Sequence, residues 1–242
     1  MRSKIIINCD LGEGIDNESS LMPFIQACNI ACGGHAGDKA SMRYVINLAK
    51  NHDVAIGAHP SYPDKENFGR KSLPLSEEEL IQSIKSQLTD FQLAINEEKA
   101  TWQHIKPHGA LYNDIAKDAH LAAVFLKAIE DFKNKELYVP YGSVIAEKAT
   151  QNGFKIIYEA FADRAYNNDL SLVSRKLPNA VLTSKKAILK QVKNIAYRNS
   201  VETIQNETVY IEGETFCVHS DTDNASEIVE FLYNHLETVH VE

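Results

Sequence analysis

The sequence predicts a parallel α/β architecture closed into a small or incomplete barrel. Three observations carry this: seven short apolar runs alternate with segments of helical spacing, no linker or repeat divides them, and several runs have one face that turns polar toward the C-terminal end. An open doubly wound sheet is the alternative. Helices on both faces would make such a sheet read apolar on both sides, whereas a barrel carries polar side chains toward its mouth.

Strand side chains alternate with period two, so the first run, Lys4 to Asp10, opposes Ile5, Ile7 and Cys9 to Ile6, Asn8 and Asp10. The second, Gln26 to Cys32, leads through a Gly-rich turn into a helix over Lys39 to Asn51. In the third, Val54 to His59, Val54, Ile56 and Ala58 face away from Ala55, Gly57 and His59. Ser76 followed by Glu79 is a capping box opening a helix that runs to Glu97. The fourth run, Trp102 to His108, sets Ile105 and Pro107 against His104, Lys106 and His108, and a helix over Ala116 to Lys133 follows. Next come a strand over Glu136 to Pro140, a helix from Ser143 to Asn152 terminated by Gly153, and a strand over Lys155 to Phe161. The stretch from Asp163 to Thr183 is long and irregular for a connection and reads as a functional loop. After a helix over Ser184 to Arg198, Thr208 to Ile211 and the Glu212-Gly213 pair predict a hairpin into the last strand. That strand, Glu214 to Asp221, opposes Phe216 and Val218 to Cys217, His219 and Asp221, and a helix over Asn224 to Leu236 ends the pattern.

Composition narrows the function. The 242 residues carry 25 Lys+Arg against 33 Asp+Glu, a formal charge of -8. A chain this long buries roughly 70–75% of its unfolded surface, so a single domain over 1–242 needs no disulfide or metal staple. No apolar run approaches the ~20 residues of a membrane span, and the start lacks a signal-peptide cleavage region; a cytoplasmic protein with no membrane partner is expected. Scattered cations in an acidic chain argue against nucleic acid. Four cysteines without a framework fit reduced thiols.

The polar positions near strand ends form one candidate set: Asp10, Glu13, His35, Asp38, His59, Lys106, His108, Glu159, Asp163, Arg164, His219 and Asp221. A single histidine at such a position is ordinarily a hydrogen-bonded, partly buried side chain; repetition across strands is what points to a site. Lys106 would be costly to bury unpaired, which calls for an acidic neighbour such as Asp10 or Glu159. Aspartate with two or three histidines suits hydrolytic metal binding, but no HExxH or paired CxxC supports it, and Cys28-x3-Cys32 before His35 fits core thiols better. No GxSxG elbow marks a nucleophile and no P-loop is present. Gly33-Gly34-His35-Ala36-Gly37-Asp38 enters a helix, where backbone N–H groups suit an anion as well as they suit a tight turn. The Pro-rich loop from Gly57 to Asp64, with Phe68-Gly69-Arg70, reads as a rigid binding segment or a stiff surface loop. Arg164 and Arg175 in the long loop either clamp a carboxylate or phosphate or form surface ion pairs.

At these residues the sequence resembles the LamB/YcsF family. The matching stretches are Asn8 to Gly14 (NCDLGEG), Asn29 to Asp38 (NIACGGHAGD), Gly57 to Asp64 (GAHPSYPD), Phe68 to Arg70, Lys106 to Asn113 (KPHGALYN), Glu159 to Tyr166 (EAFADRAY) and Cys217 to Thr222 (CVHSDT), in family order across nearly the whole chain. The resemblance implies an irregular seven-stranded β/α barrel similar to the glycoside hydrolase/deacetylase type. It also implies a hydrolase opening the lactam of 5-oxo-L-proline to L-glutamate, with ATP and Mg as co-substrate, no tightly bound cofactor, and partner subunits B and C. On that reading Asp10, His59, Lys106 and His108 are catalytic, with His59 or His108 the base. Glu13, Gly33, His35, Gly37, Asp38, Arg70, Glu159, Asp163, Arg164 and His219 bind substrate or nucleotide, and Asp10 and Glu13 hold the Mg. Gly34 replaces a usual aromatic residue, Ser220 replaces a usual Gly, and Lys133 to Tyr141 matches poorly. Two other readings stand beside this one: a metal-dependent deacetylase-like hydrolase, and a non-catalytic protein that binds the substrate for its partners.

Overall fold

Alternation along the first strand gives it two unlike faces, and the fold uses both. In the computed structural model, which describes residues 5–236, the chain builds β1 (Ile6–Leu11), β2 (Ala27–Ala31), β3 (Ala55–His59), β4 (His104–Ile105), β5 (Glu136–Pro140), β6 (Lys155–Phe161), a ribbon of β7 (Ser200–Glu202) and β8 (Thr208–Tyr210), and β9 (Thr215–Cys217). The first six strands and β9 pair in parallel into a closed seven-stranded barrel, β9 sitting between β6 and β1. Asp10 lies opposite Asn29, Asn29 opposite Gly57 and Gly57 opposite His104. Lys4, assigned by its pattern to the first strand, lies outside the described residues.

Helices α1 (Glu18–Leu21), α2 (Lys39–Asn51), α3 (Glu77–Glu97), α4 (Gly109–Ile115), α5 (Ala119–Ala128), α6 (Val144–Gln151), α7 (Lys185–Arg198) and α8 (Ala225–His235) are distributed along the chain between and after the strands. α2 buries Met42, Val45, Ile46 and Ala49, a helical stripe that joins one core with Ile7, Cys9, Ile30, Ile56 and Ala58 from the strands. α3 begins with the predicted capping box, Ser76 and Glu79 each satisfying the other's backbone N–H. Among the described residues no helix is long and apolar enough to cross a membrane.

Two predicted elements differ. The hairpin turning at Glu212-Gly213 does not form; Thr208–Tyr210 pairs backward with Ser200–Glu202, Val209 opposite Val201. A closed barrel explains this, because both edges of β9 are already taken by β1 and β6. The helix expected over Ala116 to Lys133 is shorter, α5 followed by a 3-10 turn over Glu130–Phe132, with Asp118 capping α5 by accepting from the N–H groups of His120 and Leu121; α4, which starts straight after His108, is an additional helix. Only His104–Ile105 of the fourth run is regular strand, yet Lys106 and His108 still donate backbone hydrogen bonds to Ala58 and Pro60, which keeps both side chains in the register the alternation requires.

The barrel interior is polar. Asn8 donates to Thr215 at 2.8 Å, Asn29 donates to Asn8 and Asp10 at 2.8 Å each, and His104 Nε2 donates to Asn29 Oδ1 at 2.7 Å. A Cβ at Gly57 would stand 2.1 Å from His104 Nε2, so only glycine on β3 leaves room for that imidazole. This hydrogen-bonded plug is the platform on which the site rests.

Candidate active site

Above the plug, β1, β4 and β6 deliver Asp10, Lys106 and Glu159 to one point. Lys106 is 2% exposed, with Nζ 2.8 Å from Asp10 Oδ1, 2.9 Å from Glu159 Oε1 and 3.1 Å from Cys217 Sγ. The Glu159 contact is a charge pairing off the line of a hydrogen bond. Burial alone would pull the lysine down, but Asp10, Cys217 and Glu159 outweigh it and hold the ammonium well above its ordinary range. Burial likewise opposes ionisation of Asp10, yet His59 and Lys106 keep its carboxyl well below the usual value. Glu13 goes the other way: burial and the Asp10 charge raise it.

Four side chains converge beside this triplet. Glu13 Oε1 lies 2.9 Å from His35 Nε2, 3.4 Å from His108 Nδ1 and 3.9 Å from His59 Nε2. The His35 and His108 rings stack at 3.6 Å. Gly69, at φ +60, lets the Phe68-Gly69-Arg70 backbone press onto this pair; a Cβ there would stand 2.9 Å from the His35 Cβ. Burial drives His35 down to about 2 and His104 down to about 3. Burial, with His35 and His59, also carries His108 well below its ordinary value.

These neutral imidazoles predict an acid-sensitive fold. His35 and His104 take no proton in the folded chain until the pH nears about 2 and about 3, but take one near pH 6.5 when unfolded. Their stability contribution is therefore complete above pH 6.5. It falls as the pH drops below that, by about 1.4 kcal/mol per pH unit for each. Melting temperature should decline from pH 6.5 downward, above the carboxylate range, and His104→Gln should reduce the slope. A profile flat to pH 5 would contradict the burial of neutral rings.

A third cluster hangs from β9. Asp163 accepts from His219 Nδ1 at 2.9 Å, from the His219 backbone N–H at 3.1 Å and from Thr222 Oγ1 at 2.6 Å. Burial opposes its charge, but these partners, His219 foremost, hold it below the ordinary aspartate value. With Nδ1–H committed to a carboxylate, His219 keeps Nε2 free as a base.

Asp10, His59, Lys106, His108, Glu159 and His219 line one cavity of about 690 Å³, within the roughly 300–1,000 Å³ of small-molecule clefts. Arg70, Arg164 and Arg175 line it too, with Asp169 to Lys176 of the long irregular loop. Arg70 and Arg175 both donate to Asp221, at 2.5 and 2.9 Å. Arg164 is more committed, its Nε and Nη2 donating to the Ala180 and Val173 carbonyls, which braces the loop.

Other predicted positions sit elsewhere. Gly33, Gly37 and Asp38 do not line this cavity, and the anion cradle read into their loop gives way to a turn. Asp38 caps α2 by accepting from Ser41 N–H, filling the place an anion would take. Glu13 and His35 lie behind the cavity wall, and Asp163 acts through His219. The Mg pair of Asp10 and Glu13 is a poor match for that ion. One Asp10 oxygen is held by Lys106 and Asn29, and Glu13 is ringed by imidazoles rather than the oxygens Mg²⁺ takes. All four cysteines are free and buried, Cys28 and Cys32 pushed up to about 12 by burial, as core thiols should be.

Asn29, Cys217, Tyr112 and Thr222 are further components of the site that the candidate set lacked. Alternation on β2 would have found Asn29, directly opposite Asp10. Tyr112, a buried residue lining the cavity, falls within the Lys106 to Asn113 stretch of the resemblance, but spacing alone does not single it out.

Known proteins share this architecture. A model of the LamB/YcsF family matches residues 5–242. The A subunit of 5-oxoprolinase from Thermococcus sibiricus is 41% identical over 242 residues, covering 97% of this chain and 94% of that one. The protein of the same name from Haemophilus influenzae is 38% identical, covering 98% of both. The crystal structure of a lactam utilization protein from Thermus thermophilus superposes with a TM-score of 0.89 at 30% identity, over 97% of this chain and 96% of that one. Family match, whole-length relatives and a shared barrel lead to one conclusion: this chain belongs to the LamB/YcsF family.

Proposed function

We propose that the chain is the A subunit of an ATP-dependent 5-oxoprolinase, opening the lactam of 5-oxo-L-proline to L-glutamate in the cytoplasm together with subunits B and C. The observation that carries this is Lys106, held as a cation between Asp10 and Glu159 in the wall of a cavity that Arg70, Arg164 and Arg175 also line. The names of the relatives support the substrate.

A five-membered lactam is an unactivated amide, so its carbonyl carbon must be made more electrophilic before water can open the ring. The lactam oxygen attacks the γ-phosphorus of ATP, the P–O bond to ADP breaks, and a phosphorylated imidate results. Such transfer needs positioning and charge neutralisation, which Lys106 and the arginines are equipped to supply; guanidinium is a planar, bidentate partner for phosphate or for the substrate carboxylate. Mg²⁺ enters on the ATP phosphates. Water then adds to the imidate carbon, the ring nitrogen leaves as the amine, and a second water hydrolyses the resulting γ-glutamyl phosphate to glutamate and phosphate.

The base for water attack is better sought in His219 than in His59 or His108. His219 has a free Nε2 and a buried carboxylate partner, whereas the free nitrogens of the other two point at each other and at Glu13. Reconstitution tests the reading: glutamate is measured from 5-oxoproline and ATP with this chain alone, subunits B and C alone, and the mixture. Turnover in the mixture only is expected. No coupling with active partners would overturn the assignment, and glutamate from this chain without ATP would favour a metal-dependent hydrolase.

A further inference from the structure

We propose that His59, His108 and Glu13 form a binding site for one divalent transition-metal ion of the zinc class, with His35 as the residue that positions Glu13. The inference stands on geometry and does not depend on the lactam reading.

Two backbone carbonyls fix the tautomers. The Lys106 carbonyl can only accept, so His59 Nδ1, 2.7 Å away, carries the hydrogen; the Phe68 carbonyl does the same for His108 Nε2 at 2.9 Å. His59 Nε2 and His108 Nδ1 are left as bare lone pairs facing each other at 3.0 Å. Two acceptors repel at that distance unless an electron-poor centre lies beside them. Glu13 Oε1 completes a triangle, 3.4 Å from His108 Nδ1 and 3.9 Å from His59 Nε2.

Tetrahedral zinc with bonds of 2.0–2.1 Å holds its ligand atoms about 3.3 Å apart, and the three separations bracket that value. The His59 and His108 rings stand at 83°, so their in-plane lone pairs can converge on one ion. Donation of the far ring N–H to a carbonyl is the second contact that metal-bound imidazoles ordinarily make. Both rings are buried imidazoles, nitrogen donors suited to transition ions rather than to Mg²⁺ or Ca²⁺.

His35 has a different part. Its ring lies 3° from parallel to His108, so the same ion cannot lie in the plane of both. It instead donates Nε2–H to Glu13 Oε1 at 2.9 Å, leaving Nδ1 as a lone pair with no partner among the described residues. Two imidazoles and one carboxylate leave coordination positions open, and Asp10 Oδ2, 3.4 Å from His59 Nε2, borders them. The alternative occupant is a proton shared between Glu13 and a ring nitrogen.

Chelator-stripped full-length protein titrated with Co²⁺ and then Zn²⁺ separates the two. One equivalent is expected, with the visible bands of a four- or five-coordinate cobalt site and displacement by zinc. Affinity should fall by about 100-fold in His108→Ala and Glu13→Gln and by about 10-fold in His35→Ala, each checked for folding by circular dichroism. X-ray absorption on the wild-type zinc form should show two imidazole nitrogens, a reading that needs no variant. Folded wild-type protein that binds neither metal, or a wild-type spectrum with oxygen ligands only, would overturn the proposal and leave the shared proton. Because the readout is metal binding, failure here is distinct from failure of the lactam assay.

Discussion

Lys106→Met should cost about 3–5 kcal/mol of folding stability and abolish turnover. The ammonium is buried between two carboxylates, 2.8 Å from Asp10 and 2.9 Å from Glu159. Removing it leaves two buried carboxylates without their countercharge, and breaking a buried pair from one side is the expensive way to break it. The loss should depend on pH with a definite sign. Asp10 is held low in the native chain partly by Lys106, so its favourable contribution is present above about pH 4, the ordinary aspartate value, and disappears as the pH falls through its lower folded value. The variant lacks that contribution, so the gap to wild type should narrow in acid. Glu159→Gln in the Lys106→Met background should recover part of the stability and none of the activity. Urea midpoints for the three proteins measure this, and a Lys106→Met midpoint equal to wild type would mean the cation is not buried between the carboxylates.

Asp163→Asn should lower turnover by about 10²–10⁴-fold, the range of a general base, with a much smaller loss of stability. The carboxylate accepts from His219 Nδ1, from the His219 backbone and from Thr222. An amide keeps the shape but brings donors where only acceptors are wanted, so it favours the His219 tautomer with the proton on the wrong nitrogen. The effect should fall on kcat rather than KM, because His219 and not Asp163 lines the cavity. The acid limb of the rate profile should also move, which a purely structural role for Asp163 would not cause. An unchanged profile would remove the dyad from the chemistry.

Much of this was legible in the sequence for a simple physical reason. Period-two alternation put Asn8 and Asp10, His59, Lys106 and His219 on polar faces, and those faces are the inside of the barrel. The cost of burying Lys106 correctly required an acid, and both candidates, Asp10 and Glu159, are present. What alternation cannot give is the third dimension. Nothing in the spacing of Glu13, His35, His59 and His108 says that they meet, because they come from different strands and loops whose approach depends on barrel closure. The hairpin at Glu212-Gly213 failed similarly: the local turn signal was sound, but whether β9 had a free edge was decided by β1 and β6. The Gly33 to Asp38 loop was ambiguous until Asp38 was seen to fill its own helix terminus.

Opening of the lactam in this barrel, and not elsewhere in the assembly, is tested most directly in a complex rebuilt from subunits B and C and this chain carrying His219→Asn. Glutamate and phosphate release are followed together. Assembly at wild-type stoichiometry with glutamate formation reduced by about 10²-fold or more is the expected result. A complex that assembles and makes glutamate at the wild-type rate would contradict it.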